Sequence, residues 1–108
     1  MTVNQVGTRE AFDVEMEKIR LGKISPYLGA DGSVLQEAQV KIDMLARSIQ
    51  SEGQRSPIEV AVDEDGSYFV LDGELRVRAI EQLALASIKA FSSMHERKSG
   101  ELIPITFQ

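Results

Sequence analysis

Apolar positions recur along the chain at two different spacings. From 42 to 49 they fall at i, i+3, i+4 and i+7, as Ile42, Leu45, Ala46 and Ile49. That spacing is one face of a 3.6-residue period and predicts a helix. Lys41, Asp43, Arg47, Gln50 and Ser51 take its other faces, and Gly53 is a natural stop. The period then changes to two. In "PIEVAVD" Ile58, Val60 and Val62 alternate with Glu59, Ala61 and Asp63, which predicts a half-buried strand. "DEDG" reads as a hairpin turn on its Asp65-Gly66 pair, and "SYFVL" as a partner strand, apolar on both faces and therefore central. After Asp72-Gly73 the spacing returns to helical: Val77, Ile80, Leu83 and Ala84 form an apolar face for the hairpin, with Asp72 as the expected N-cap. "ASIKAF" predicts another strand.

The flanks are less regular. Residues 1–16 are expected to be a tail without fixed structure. Ile19, Leu21 and Ile24 suggest a short strand closed by Pro26, and "PYLGADGSVLQEA" reads as a Gly- and Asp-rich loop. "HERKSG" (95–100) reads as a polar turn, and "ELIPITF" as an edge strand that tolerates Pro104. The predicted organisation is a tail over 1–16, one domain over 17–93 and an extension over 94–108. The predicted fold is α+β, a small mixed sheet with two or three helices.

Composition narrows the function. The chain has 108 residues, 43% of them hydrophobic, enough for one modest core. It has no cysteine and one histidine, so disulfide and thiolate chemistry are excluded and no metal ligands are assigned. No run is long enough to span a bilayer, and the polar, acidic first residues resemble neither a signal nor a transit peptide. A cytoplasmic location without membrane contact is expected. A net charge of −5 repels nucleic acid at long range, so any DNA contact is expected through another domain or subunit.

Against that charge, "VLDGELRVRA" (70–79) places two arginines where a helix begins. First-turn N–H groups lack intrahelical acceptors and attract anions. An arginine fork adds bidentate, charge-assisted bonds to phosphate. Gly73 permits close backbone approach and positive φ. Glu74 has several open readings: a first-turn glutamate favoured by the helix dipole, a partner for Arg78 at i+4, or a group that meets a ribose, a base or a Mg²⁺ ion. The bland alternatives are an ion pair for Arg76 and a solvated helix face for Arg78.

Three segments together resemble the N-terminal domain of ParB-type partition proteins, whose fold is shared with sulfiredoxin. They are Ser48-Ile49, then Gly53-Gln54-Arg55-Ser56-Pro57-Ile58, then Gly73-Glu74-Leu75-Arg76-Val77-Arg78-Ala79. The resemblance covers about residues 17–93. It implies a CTP- or ATP-binding module, with Mg²⁺, in which Gly73, Glu74, Arg76 and Arg78 meet the phosphates and Gln54, Arg55 and Ser56 line the nucleotide. Leu75 stands where the family's box usually has a further arginine. Glu74 stands where the catalytic cysteine of sulfiredoxin aligns, which excludes that chemistry. The resemblance further implies DNA segregation, plasmid or mobile-element maintenance, or transcription control, with nucleotide-driven pairing to a second copy or a partner protein. The alternatives are an enzyme, either a slow NTPase or a metal-dependent nuclease with Glu74 as its catalytic carboxylate, and a protein-interaction domain that has lost its ligand.

Overall fold

A computed structural model describes residues 10–105. Residues 1–9 of the expected tail and 106–108 of the expected extension lie outside the described residues. The elements run β1 (Phe12–Glu15), a 3₁₀ turn (Met16–Lys18), β2 (Ile19–Arg20), α1 (Gln36–Glu52), β3 (Ile58–Val62), β4 (Tyr68–Asp72), α2 (Glu74–Gln82), β5 (Ser87–Lys98) and β6 (Glu101–Pro104). The architecture is α+β, as the patterning predicts. The sheet order is β1-β5-β3-β4-β2, with β6 added to β5. Pairing is mixed: β1/β5, β3/β4 and β5/β6 are antiparallel, while β3/β5 and β2/β4 are parallel.

The two helices supply the expected faces. Ile42, Ala46 and Ile49 of α1 and Val77, Ala79 and Ile80 of α2 are buried with Ile58, Val60, Ile88 and Ala90 of the sheet. Truncating one of the fully enclosed isoleucines to alanine costs about 2–5 kcal/mol. α1 ends at Gly53, whose φ of 79° lets the chain turn out of the helix.

Several expectations need correction. Phe12–Glu15 is a strand within the stretch expected as a tail; Val14 is buried and Glu15 pairs with Ser87. β2 keeps only Ile19 and Arg20, and Ile24 is 96% exposed. The alternation of β3 holds through Val60 but fails at its end. Ala61 is buried and Val62 exposed, so both faces of the strand are covered at Ala61, and the register with β5 shifts between Val60 and Val62. β4 is an inner strand between β3 and β2, as expected, but is only half-buried, since β2 covers just Tyr68 and Phe69. β5 continues through "HERK" to Lys98, with His95 opposite Pro104. Arg97 holds that far half in place: its guanidinium lies 3.9 Å over the Phe69 ring and pairs with Asp63 at 3.1 Å.

Candidate functional site

The hairpin register brings the two marked segments together. β3 begins just after 53–57, and β4 ends just before the arginine box. Their antiparallel pairing sets Glu59 opposite Asp72. The loop that leaves α1 therefore lies beside the turn that starts α2.

Gly73 makes that turn. Its φ is 109°, in the left-handed region. A Cβ there would sit 2.5 Å from Ile58 Cγ2 and 2.9 Å from Ile58 Cβ. The close approach that only glycine allows is therefore to the fold's own core. Gly73 is also the N-cap of α2, and no side chain caps the helix; Asp72, the expected cap, makes no such bond. The amides of Glu74, Leu75 and Arg76 precede the first α2 bond, which runs from Val77 N–H to the Gly73 carbonyl.

Three adjoining clefts of about 270, 210 and 190 Å³ form one groove across this end of the molecule. The first two share Tyr27, Asp72, Gly73 and Glu74. The second and third share Leu45 and Arg76. The groove thus runs from Gly22 and Phe69, past the start of α2, to Gly53 and Ser56 at the end of α1.

Arg76 is at the middle of the groove and is half-buried. Among the described residues it has neither a hydrogen-bond nor an ion-pair partner, so the ion pair with Asp72 does not form. A partly desolvated guanidinium without a carboxylate is costly to hold, a cost that an anion in the groove would offset.

Glu74 is clasped. Its Oε2 accepts from Ser25 Oγ at 2.6 Å and from Arg78 Nε at 3.0 Å, and both members of the ion pair are more than four-fifths buried. The i+4 pairing open from sequence is the one that forms. Among the described residues Oε1 has no partner. Arg78 is drawn out of the groove by this pairing. It lines a separate cleft between α1 and α2 with Gln39 and Gln82.

The loop residues divide in the same way. Gln54 is committed to the backbone: its Oε1 accepts from Lys89 N–H at 2.7 Å, and its Nε2 donates to the Lys89 carbonyl at 2.9 Å. It extends the sheet ladder by one position, just before Ile58 pairs with Ala90. Arg55 is on the groove rim, largely exposed and paired with Glu52 at 3.0 Å. Ser56 is an exposed lining residue. The groove therefore holds Gly73, Glu74, Arg76, Gln54, Arg55 and Ser56 together and leaves Arg78 outside.

Tyr27 and Leu45, as wall residues, and Ser25, as the donor that holds Glu74, are the site residues that sequence reasoning does not assign. Ser25 accepts from Tyr27 N–H at 3.1 Å while donating to Glu74, which fixes the start of the Gly-rich loop against α2. The available signal was the Ser25-Pro26 pair at the head of that loop. Among the described residues, no group of three or more His, Cys, Asp or Glu side chains is placed to hold a metal, and no helix is long and apolar enough to cross a membrane.

Comparison with known proteins agrees with this geometry. A sequence model of the ParB N-terminal domain matches residues 3–103. A nucleoid occlusion protein from Geobacillus sp. (strain WCH70) is 36% identical over 76 residues, 70% of this chain and 26% of that protein. C-terminally truncated ParB from Caulobacter crescentus, solved with CTP-gamma-S, has a TM-score of 0.63 at 22% identity, over 83% of this chain and 46% of that one. Sulfiredoxin from Arabidopsis thaliana has a TM-score of 0.58 at 28% identity, over 78% of this chain and 84% of that one. The chain spans about a quarter of the length of its curated relative. With its strand–Gly73–helix turn, its helix-loop lead into β3 and a family match across nearly all of its length, the chain belongs to the ParB N-terminal domain family.

Proposed function

We propose that this domain is a nucleotide-binding regulatory module, taking CTP or ATP with Mg²⁺, linked to DNA partitioning, plasmid or mobile-element maintenance, or transcription control. The observation that carries the reading is Arg76: a half-buried guanidinium, unpartnered among the described residues, in the groove where the end of α1 meets the start of α2. The first-turn amides of α2 add donors for a phosphate. Glu74 and Asp72 are the carboxylates near such a phosphate, and the open Oε1 of Glu74 is suited to a phosphate-bound Mg²⁺. Any hydrolysis would run through Glu74 and would be slow, since its carboxylate is already committed to Ser25 and Arg78. The relatives support the setting: ParB from Caulobacter crescentus is solved both with CTP-gamma-S and with the centromeric parS site, and the curated relative is a nucleoid occlusion protein. DNA contact would come from another domain or subunit, with nucleotide favouring a form that pairs with a second copy or a partner.

Thermal unfolding with Mg²⁺ and CTP, ATP, GTP or UTP tests this. A ligand at about ten times its dissociation constant stabilises by about 1.4 kcal/mol. A rise in Tm with CTP or ATP is expected. No rise with any nucleotide would overturn the reading in favour of an interaction domain without a ligand.

A further inference from the structure

We propose that the groove reads one phosphoryl group, so that nucleoside mono-, di- and triphosphates bind with nearly equal affinity when no divalent cation is present. The inference rests on the nucleotide reading above and specifies the ligand class for the same site. It follows from the charges that line the groove. Among the described lining residues, the cationic side chains are Arg55 and Arg76. Arg55 is on the rim, its side chain 72% exposed and already paired with Glu52. A pair so exposed contributes little to holding an anion. Arg78 lies one turn along α2 from Glu74, outside the groove lining and committed to that carboxylate. One guanidinium, that of Arg76, remains to meet phosphate, and its planar fork satisfies one phosphoryl group.

The side chains that neighbour Arg76 add no further cation to the site. Leu75 adds an apolar wall between Glu74 and Arg76 and packs against the core. Asp72 places a carboxylate with no cation partner among the described residues on the line a longer phosphate chain would follow toward Tyr27 and Phe69, while the Glu74 carboxylate beside it is already met by Arg78. A second or third phosphoryl group therefore meets no further cationic side chain and faces negative charge at close range. Without a metal to screen it, the added charge brings no added affinity.

Calorimetric titration of the protein with CMP, CDP and CTP, and with AMP, ADP and ATP, in EDTA at fixed ionic strength tests the proposal. Dissociation constants within about threefold across each series are expected. A triphosphate that binds more than about tenfold tighter than its monophosphate overturns it and leaves the nucleotide reading intact. Absence of binding across both series, with Mg²⁺ as well as without, overturns both. A gain-of-function variant gives a second test. Leu75→Arg adds a fork beside Arg76 and should create a preference for triphosphate over monophosphate of about tenfold. Its melting curve reports whether the variant is folded. A folded Leu75→Arg protein with an unchanged series contradicts the proposal.

Discussion

The Ser25 hydroxyl donates to Glu74 Oε2 at 2.6 Å across 49 residues of sequence. The same oxygen accepts from Arg78, so one carboxylate joins the loop after β2 to the first and second turns of α2. Hydrogen bonds to charged groups contribute about 1.5–3 kcal/mol when partly buried. Ser25→Ala should therefore destabilise by about 1–2 kcal/mol in urea unfolding. It should also speed tryptic cleavage after Lys23, which is exposed in the loop that the bond tethers. Unchanged cleavage would show that the loop is held elsewhere.

Gly73 carries two constraints at once, a φ of 109° and a 2.5 Å approach to Ile58 Cγ2 by any added Cβ. Ile58 is fully buried and cannot retreat without disturbing the core. Gly73→Ala should cost about 2–4 kcal/mol, the sum of backbone strain and overpacking. Chemical denaturation measures it. A Gly73→Ala/Ile58→Val double variant should recover only part of the loss, because the strained φ remains.

Gln54 separates a structural role from a ligand role. Its amide meets both backbone groups of Lys89. Gln54→Glu keeps the acceptor and loses the donor, leaving the Lys89 carbonyl facing a carboxylate. A loss of about 1–3 kcal/mol is expected, visible without any ligand. Gln54→Glu with unchanged stability would return this residue to the ligand wall.

Asp43 sets the acid limb. Side-chain donors Gln82 and Gln39 hold its carboxyl below the ordinary value of 3.8. A depressed folded value means that its contribution is present above the unfolded pKa and is lost as pH falls through the folded one. Asp31 and Asp65 act in the same direction through Ser33 and Ser67. Unfolding free energy should therefore fall as pH drops below about 4, and Asp43→Asn should make that slope shallower. An identical slope in the variant would contradict the assignment.

These contacts mark the limit of what patterning reveals. Ile42, Ala46 and Ile49, or Val77 and Ile80, announce their helices because burial on one face imposes a period. The Gly53–Ile58 and Gly73–Ala79 segments announce the site because glycine and arginine have uncommon physical uses. What was not legible depends on partners remote in sequence. Ala61 is buried and Val62 exposed although both keep their places in the ladder opposite Phe69 and Tyr68, a difference set by what covers each face. "HERK" is a strand because Leu102 and Ile103 return to pair with it. Arg76 and Arg78 already differ in sequence, because successive helix positions diverge by about 100° and two steps put them on different sides of α2. What the sequence leaves open is which reading of Glu74 holds, and the structure selects its pairing with Arg78.

The central claim is that Arg76 is the groove's phosphate-reading cation. The most direct measurement is calorimetric titration of CTP and of ATP, with Mg²⁺, into the wild-type protein, Arg76→Ala and Arg47→Ala. Arg47 is an exposed arginine of α1 outside the groove and controls for net charge. Loss of one bidentate, charge-assisted contact predicts at least about tenfold weaker binding for Arg76→Ala, with Arg47→Ala within about twofold of wild type. Equal affinity in all three proteins, or equal losses in both variants, would contradict the account.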